Sequence, residues 1–335
     1  MSWRRFLSLL KARDREFIRD RSALSWNILF PLVIITGFAF AFTGDHLDNY
    51  KIGVLPHAEI ESIDLLSARY MSFIEISQDE KSTSIQKVQR HQLDMLLDIQ
   101  HKRYWVNDSS PSGYMIEKAL LGSGGEKYQK QSVKDEQIRY VDWVIPGVLG
   151  MNMMFSALFG VGYVVVRYRK NGVLKRLAAT PLSALEFLSA QIVSRLWLIM
   201  GITTVVYVVC DLLIGFAMFG NYLHLFMVFT LGAFAMISMG LIVAARVKSE
   251  EMAGGLLNMM SWPMMFLSGV WFSLEGLHPW VQKLALIFPL THITQAARDI
   301  MLDGAGFEVI WPNMLALAIM SIIFLLLGVF LFRWE

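Results

Sequence analysis

The chain has 335 residues, 55% of them hydrophobic and 17% charged, with a mean hydropathy of +0.47. An ordinary soluble globular domain carries fewer apolar and more charged residues, so that class is excluded. The net charge of +2 implies no nucleic-acid partner, and a single cysteine, Cys210 in an apolar stretch, leaves neither an intrachain disulfide nor a thiolate metal site.

The chain begins with a patterned segment, residues 1–23. Trp3, Phe6, Leu7, Leu10, Phe17 and Ile18 fall near one helical face and basic residues on the others, although Asp14 interrupts the stripe. This is the pattern of an amphipathic helix lying along a headgroup layer; a soluble basic arm is the plainer alternative. A first transmembrane helix follows at 24–43, with its apolar run from Leu24 to Thr43. The basic segment, apolar run and Ala39-Phe40-Ala41 resemble a cleavable signal peptide, but the basic region is long and contains Asp14, Glu16 and Asp20.

Residues 44–139 are soluble in composition. Strands are expected at Tyr50–Leu55, Met71–Ile76, Leu93–Ile99 and Lys102–Val106, and helices at Glu59–Arg69, Ser82–His91 and Pro111–Leu120. The alternation indicates a small α/β domain. Gly122-Ser123-Gly124-Gly125 suggests a flexible joint before the next span. Asp94 and Asp98, four apart in a strand, would share one solvated face; His57, His91 and His101 are isolated surface histidines. Asn107-Asp108-Ser109 fits a glycosylation sequon, although chance suffices to explain it.

Residues 140–335 carry the remaining spans, expected at Trp143–Val166, Phe187–Ile214, Leu223–Ala245, Ala253–Phe272 and Met314–Phe332. A bilayer core about 30 Å thick needs roughly 20 apolar helical residues, so six helices cross in all. Two stretches interrupt them: a basic connection at 168–186, and a segment at 274–306 too polar to span. The latter reads as short re-entrant or interfacial helices.

Orientation follows from the basic residues beside the spans. Arg4, Arg5, Lys11, Arg13, Arg15, Arg19 and Arg21 precede the first; Arg167, Arg169, Lys170, Lys175 and Arg176 separate the second from the third. Arg246 and Lys248 lie between the fourth and fifth, and Arg333 follows the sixth. All fall on one side, so both termini are expected in the cytoplasm and 44–139 outside it, in a bacterial inner membrane. The fold class is therefore an α-helical polytopic membrane protein of six transmembrane helices, with a small α/β extracytoplasmic domain inserted after the first.

Signs of chemistry are few. No GxxxxGK[ST], HExxH or zinc-type Cys/His spacing occurs, so no catalytic residue, metal or bound cofactor is assigned. Arg195 and Asp211 sit within the third span, about 24 Å apart along the helix, too far to pair. Each either snorkels toward its own surface or meets a group on another helix. Asn152, Ser156 and Gly160 recur every fourth residue, giving a small, weakly polar face that admits another helix closely or lines a path. Pro263 should kink the fifth span; Met259, Met260, Trp262, Met264, Met265 and Phe266 around it are either packing or an adaptable lining for an amphipathic substrate.

Three segments together resemble the ABC-2 family of exporter permeases, in the subgroup with a large periplasmic domain between the first and second transmembrane helices. They are Arg169-Lys170-Asn171-Gly172-Val173-Leu174-Lys175-Arg176 through Thr180-Pro181-Leu182-Ser183; Lys248-Ser249-Glu250-Glu251 with Phe266-Leu267-Ser268-Gly269-Val270-Trp271-Phe272; and Leu277-His278-Pro279-Trp280, Phe288-Pro289-Leu290-Thr291-His292 and Ala297-Arg298. The resemblance implies an export permease for a hydrophobic or amphipathic substrate, powered by a separate ABC ATPase subunit that binds ATP and magnesium. It also implies pairing with a second copy or a paralogous permease; a periplasmic adaptor and membrane lipid are further partners. The coupling contact would comprise Arg169, Lys170, Asn171, Gly172, Leu174, Lys175, Arg176, Thr180 and Pro181. A substrate path would run past Asn152, Ser156, Met259, Met260, Trp262, Pro263 and Phe266. The competing readings are a membrane scaffold or sensor whose outer domain binds a partner, and a membrane-embedded enzyme, for which the charged site is missing.

Overall fold

The structure is a computed structural model that describes residues 3–41, 50–55, 71–77, 81–89, 93–108, 110–133, 139–274, 278–332 and 334. The expected helix Glu59–Arg69, His57, His91 and Thr43 lie outside these residues. The chain divides into two compact units, Met1–Ala41 with Tyr140–Glu335, and Phe42–Arg139.

The larger unit is an apolar helical bundle. Its first helices are α1 (Trp3–Arg19) and α2 (Arg21–Ala41), separated at Asp20, whose carboxylate accepts the Ala23 amide at 3.0 Å and starts α2. What the amphipathic pattern suggests as one segment over 1–23 is thus divided, because this cap begins a new helix. The smaller unit comes next. There β1 (Tyr50–Leu55), β2 (Met71–Glu75), β3 (Met95–Asp98), β4 (Arg103–Asn107) and β5 (Gln129–Val133) form a mixed sheet in the order β2-β1-β3-β4-β5. Only the β3–β4 pair is antiparallel, with Leu97 opposite Tyr104. Helix α3 (Lys81–Gln89) contributes Val88 to a core with Leu96 and Trp105, and α4 (Pro111–Gly122) contributes Ile116 and Leu120 to another with Ile52 and Leu97. Having both faces covered explains why the inner strands carry nearly unbroken apolar runs.

Two sequence expectations fail in this unit, one strand goes unforeseen, and the sequon is accounted for by chance. The glycine-rich stretch is no loose joint: Ser123 caps α4, Gly124 adopts φ 90°, and the chain turns into β5. That strand, Gln-Lys-Gln-Ser-Val, is a polar edge with no apolar alternation to betray it. Asp98 is fully buried rather than solvated, bonded to Lys81 Nζ at 2.7 Å, and Asp94 accepts from the Lys51 amide. Asn107 is 1% exposed and donates to the Gln89 carbonyl, so its amide is not available as a glycosylation acceptor.

In the bundle, α5 (Tyr140–Ala157) continues through a π-helical turn at Leu158–Tyr163 into α6 (Val164–Lys170). The short α7 (Val173–Ala178), then α8 (Ala184–Ile214), α9 (Tyr222–Arg246), α10 (Glu250–Leu267), α11 (Pro279–Ala285), α12 (Pro289–Met301) and α13 (Phe307–Leu331) complete it. Among the described residues five helices are long and apolar enough to cross a bilayer: α2, α5–α6, α8, α9 and α13. This is a polytopic membrane protein. The α5–α6 helix is its hub, 89% buried along its apolar window against 11% for α2 and 17% for α13.

The fifth expected span, Ala253–Phe272, is not among those five. The 18 residues of α10 reach about 27 Å, and Glu250, Glu251, Gly254, Gly255 and Asn258 dilute its hydropathy. The helix runs through Pro263 to Leu267, so the proline removes one donor without ending it. Elsewhere capping sets the true ends. Ser183 and Glu186 form a reciprocal capping box that starts α8, and Asn221 starts α9.

Candidate functional site

A cavity of about 710 Å³ lies within the bundle, walled by α1, α2, α5, the π turn, α6 and α8. Its apolar side is aromatic: Phe17, Trp26, Phe30, Phe155 and Phe159. Its polar lining holds Asn27, Asn152 and Ser156, together with Arg13, Arg19, Arg167 and Arg195 and two carboxylates, Glu16 and Asp20. The helical spacing of Asn152, Ser156 and Gly160 places all three toward this space, with the Ser156 hydroxyl bonded to the Asn27 side chain.

Two guanidiniums clamp the irregular turn of the hub. Arg195 is 7% exposed; its Nε and Nη2 donate to the Ser156 carbonyl at 2.8 and 2.5 Å, and its Cζ lies 4.8 Å from the centroid of the Phe17 ring. It therefore turns into the bundle and does not snorkel, whereas Asp211 at the far end of α8 is exposed. A methyl group at position 160 would sit 2.0 Å from the Arg195 guanidinium, so only glycine leaves room for it. From α1, Arg13 donates to the Gly160 carbonyl at 3.0 Å, to Gln191 at 2.6 Å and to Tyr168 at 3.0 Å, with Glu16 at 2.9 Å as its ion-pair partner. Single-turn π segments occur often at functional sites, where displaced carbonyls need side-chain donors.

Asp14, which breaks the amphipathic stripe of α1 in sequence, accepts from Ser194 at 2.5 Å and Trp197 at 3.2 Å. The first helix is therefore latched to α8 by its polar residues. Of its apolar ones only Phe6 is buried, while Trp3, Leu7 and Ile18 remain exposed. Periodicity marks the apolar face, and the residue that interrupts it is one that ties α1 down.

The basic connection divides into inward and outward residues. Arg169 Nη1 donates to the carbonyls of Ala244 at 2.8 Å and Val247 at 2.6 Å, and Nη2 to Ala245 at 3.2 Å, closing the C-terminal end of α9. Lys170 stands 3.6 Å from Glu250 and 3.9 Å from Glu251 at the start of α10. Asn171 ends α6, and Gly172, with φ 67°, supplies the left-handed turn into α7. Leu174 is the buried residue of α7, while Lys175, Arg176, Thr180 and Pro181 are exposed. The Pro181 carbonyl accepts from Arg5 of α1, and Thr180 Oγ1 donates to the Leu177 carbonyl at 2.6 Å, finishing the turn.

The expected path residues on α10 do not join the cavity wall. Met259, Trp262 and Phe266 form an exposed stripe, 74%, 51% and 45% accessible, with Pro263 also exposed and Met260 half-buried. Near the opposite end of the hub, Arg298 of α12 donates to the Trp143 carbonyl at 3.1 Å and lies 3.6 Å from that ring's centroid. Among the described residues no group of His, Cys, Asp and Glu is placed to hold a metal ion.

An apolar helical bundle thus carries a half-open cavity with charged, polar and aromatic lining, and ionisable side chains placed this way in such a bundle commonly mark a functional site. Residues 21–330 match the family described as ABC-2 family transporter protein, and the chain belongs to that family. It is 28% identical over 186 residues to "Inner membrane transport permease YhhJ" of Escherichia coli strain K12, covering 54% of this chain and 49% of that protein. It is 22% identical over 363 residues to "Probable multidrug ABC transporter permease YbhS" of the same strain, covering 97% and 96%. "ABC transporter G family member 20" of Dictyostelium discoideum is 26% identical over 175 residues, 52% of this chain and 24% of that protein. The chain thus spans about half the length of the first of these relatives and nearly all of the second.

Proposed function

We propose that this chain is the membrane permease of an ABC exporter, moving an amphipathic substrate out of the cytoplasm or inner leaflet with ATP hydrolysed on a separate ABC ATPase. Family membership supports the class. The observation that carries the coupling is α7. Its outer face presents Lys175 and Arg176 to solvent, while the residues just before them are bonded to the ends of α9 and α10. An ATPase seated on that face would move helix ends directly, because Arg169 and Leu174 leave little slack between surface and bundle.

In this reading both termini and α7 face the cytoplasm of an inner-membrane protein, following the basic residues beside the spans. The unit at Phe42–Arg139 is extracytoplasmic. Helix α10, lengthened by the residues after it, completes a sixth crossing, and α11 with α12 re-enters from the outer side. The cavity past Asn152 and Ser156 receives substrate. A second permease copy or a paralogue covers the exposed stripe of Met259, Trp262 and Phe266. The test is co-expression with the cognate ATPase in vesicles. Lys175→Glu with Arg176→Glu should retain assembly and basal ATP hydrolysis but lose at least about tenfold in ATP-driven substrate efflux; wild-type efflux at equal protein level would refute it.

A further inference from the structure

We propose that the cavity binds an amphiphile with an anionic phosphate or carboxylate head. The proposal rests on the permease reading for its role in transport, but its evidence is the charge balance of the wall. Arg13 is neutralised by Glu16 at 2.9 Å, and the other lining carboxylate, Asp20, accepts the Ala23 amide. Arg19, Arg167 and Arg195 also line the cavity, and among the described residues no carboxylate forms an ion pair with any of these three.

Arg195 makes the case strongest. Its side chain is buried, its hydrogen bonds go to a neutral carbonyl and its face to Phe17, so among the described residues its charge has no counterion. A buried cation without an anion is costly, and a ligand anion entering the cavity removes that cost. Guanidiniums match the oxygens of phosphate and carboxylate in two-pronged geometry. Beside the cationic side stand Trp26, Phe30, Phe155 and Phe159, an apolar surface suited to an alkyl or aryl tail. The volume, about 710 Å³, is that of a site for a single drug-sized molecule. A cationic amphiphile would face like charge instead.

The test is equilibrium dialysis of the purified full-length chain, in neutral maltoside micelles, against dodecyl phosphate and dodecyltrimethylammonium. Dodecyl phosphate should bind at least about tenfold more tightly. Arg19→Gln with Arg167→Gln, both exposed and so tolerant of change, should weaken it about tenfold. Asn152→Trp, which puts a bulky ring into the polar side of the wall, should weaken it as well. Equal binding of the two head groups, or unchanged affinity in the arginine double variant, overturns the proposal.

Native mass spectrometry from phosphatidylglycerol nanodiscs separates the two sources of such a head. Phospholipid retained by the wild type and lost from the double variant makes the occupant a bilayer lipid. Binding of the single-chain phosphate alone makes it a free amphiphile. Failure here with intact ATP-driven efflux removes the anionic-head assignment and leaves the permease standing. Success here with wild-type efflux in Lys175→Glu, Arg176→Glu removes the coupling reading instead.

Discussion

Replacing Gly160 with alanine tests the arginine clamp because the two physical expectations have opposite signs. In an ordinary helix interior the change stabilises by about 1 kcal/mol, since alanine has less backbone freedom to lose. At this position the new methyl group would lie 2.0 Å from Cζ, Nε and Nη2 of Arg195, far inside contact distance, so the guanidinium must leave. It then surrenders its bonds to the Ser156 carbonyl at 2.8 and 2.5 Å and its contact with Phe17. Hydrogen bonds from a charged donor contribute roughly 1.5–3 kcal/mol. The cation–π contact adds about 0.5–2 kcal/mol. Against the gain in propensity, the net is a destabilisation of about 1–4 kcal/mol.

Reversible unfolding in mixed dodecyl sulfate micelles measures this directly. Arg195→Met removes the charge while keeping much of the length, and on that background Gly160→Ala should be neutral or stabilising. A double-mutant cycle should therefore return an interaction energy above about 1 kcal/mol. If Gly160→Ala matches or exceeds wild-type stability, or the two changes add, the clamp is not what holds the π turn to α8.

Further expectations concern other links. Arg169→Ala should destabilise by about 2–4 kcal/mol, because three carbonyls at the end of α9 lose a charged donor. Arg169→Lys should recover only part of this, since an ammonium cannot span them; full recovery in an unfolding titration would count against the fork geometry. In the smaller unit, burial pushes the Asp98 carboxyl up, but the hydrogen bond from Lys81 and those from the His101 amide and ring outweigh it and hold it below the ordinary 3.8. The stability it contributes is present above the unfolded value and is lost as pH falls through the lower folded one. Protection of the β3–β4 amides, taken relative to their intrinsic exchange rate at each pH, should accordingly fall below about pH 4 in the wild type, whereas Asp98→Asn should be weakly protected already at about pH 7 and change little on acidification. Identical pH profiles would dismiss the Asp98 network as a stabilising element. Trp143→Leu removes the ring whose centroid lies 3.6 Å from the Arg298 guanidinium of α12. It should lower stability by about 1–2 kcal/mol in the same micellar unfolding assay; an unchanged midpoint would contradict it.

Hydropathy along the chain sufficed to mark the apolar helices, because in lipid a long uncharged run has few alternatives to a helix that satisfies its own backbone. The strands Tyr50–Leu55 and the core of Leu93–Ile99 were equally legible, each carrying a local apolar signature. Edge strand β5 was not, since a polar edge gains its structure from Arg103–Asn107 beside it and not from its own composition. The basic connection at 168–186 stood out as charge, but which residues face inward was hidden. Arg169 and Arg176 are the same residue type in one short segment, and only the position of α9 decides that one closes a helix end while the other meets solvent.

The cavity is the fullest case. Sequence alone determined that Asn152, Ser156 and Gly160 share a helix face and that Arg195 is an anomaly in an apolar span. Only the tertiary structure decided that the anomaly fits the face. Packing brings Arg13 to Gly160 across 147 positions of chain, and Arg195 to Ser156 across 39. Periodicity records which side of a helix is apolar; it carries no information on which charged group another helix will bring to the remaining side.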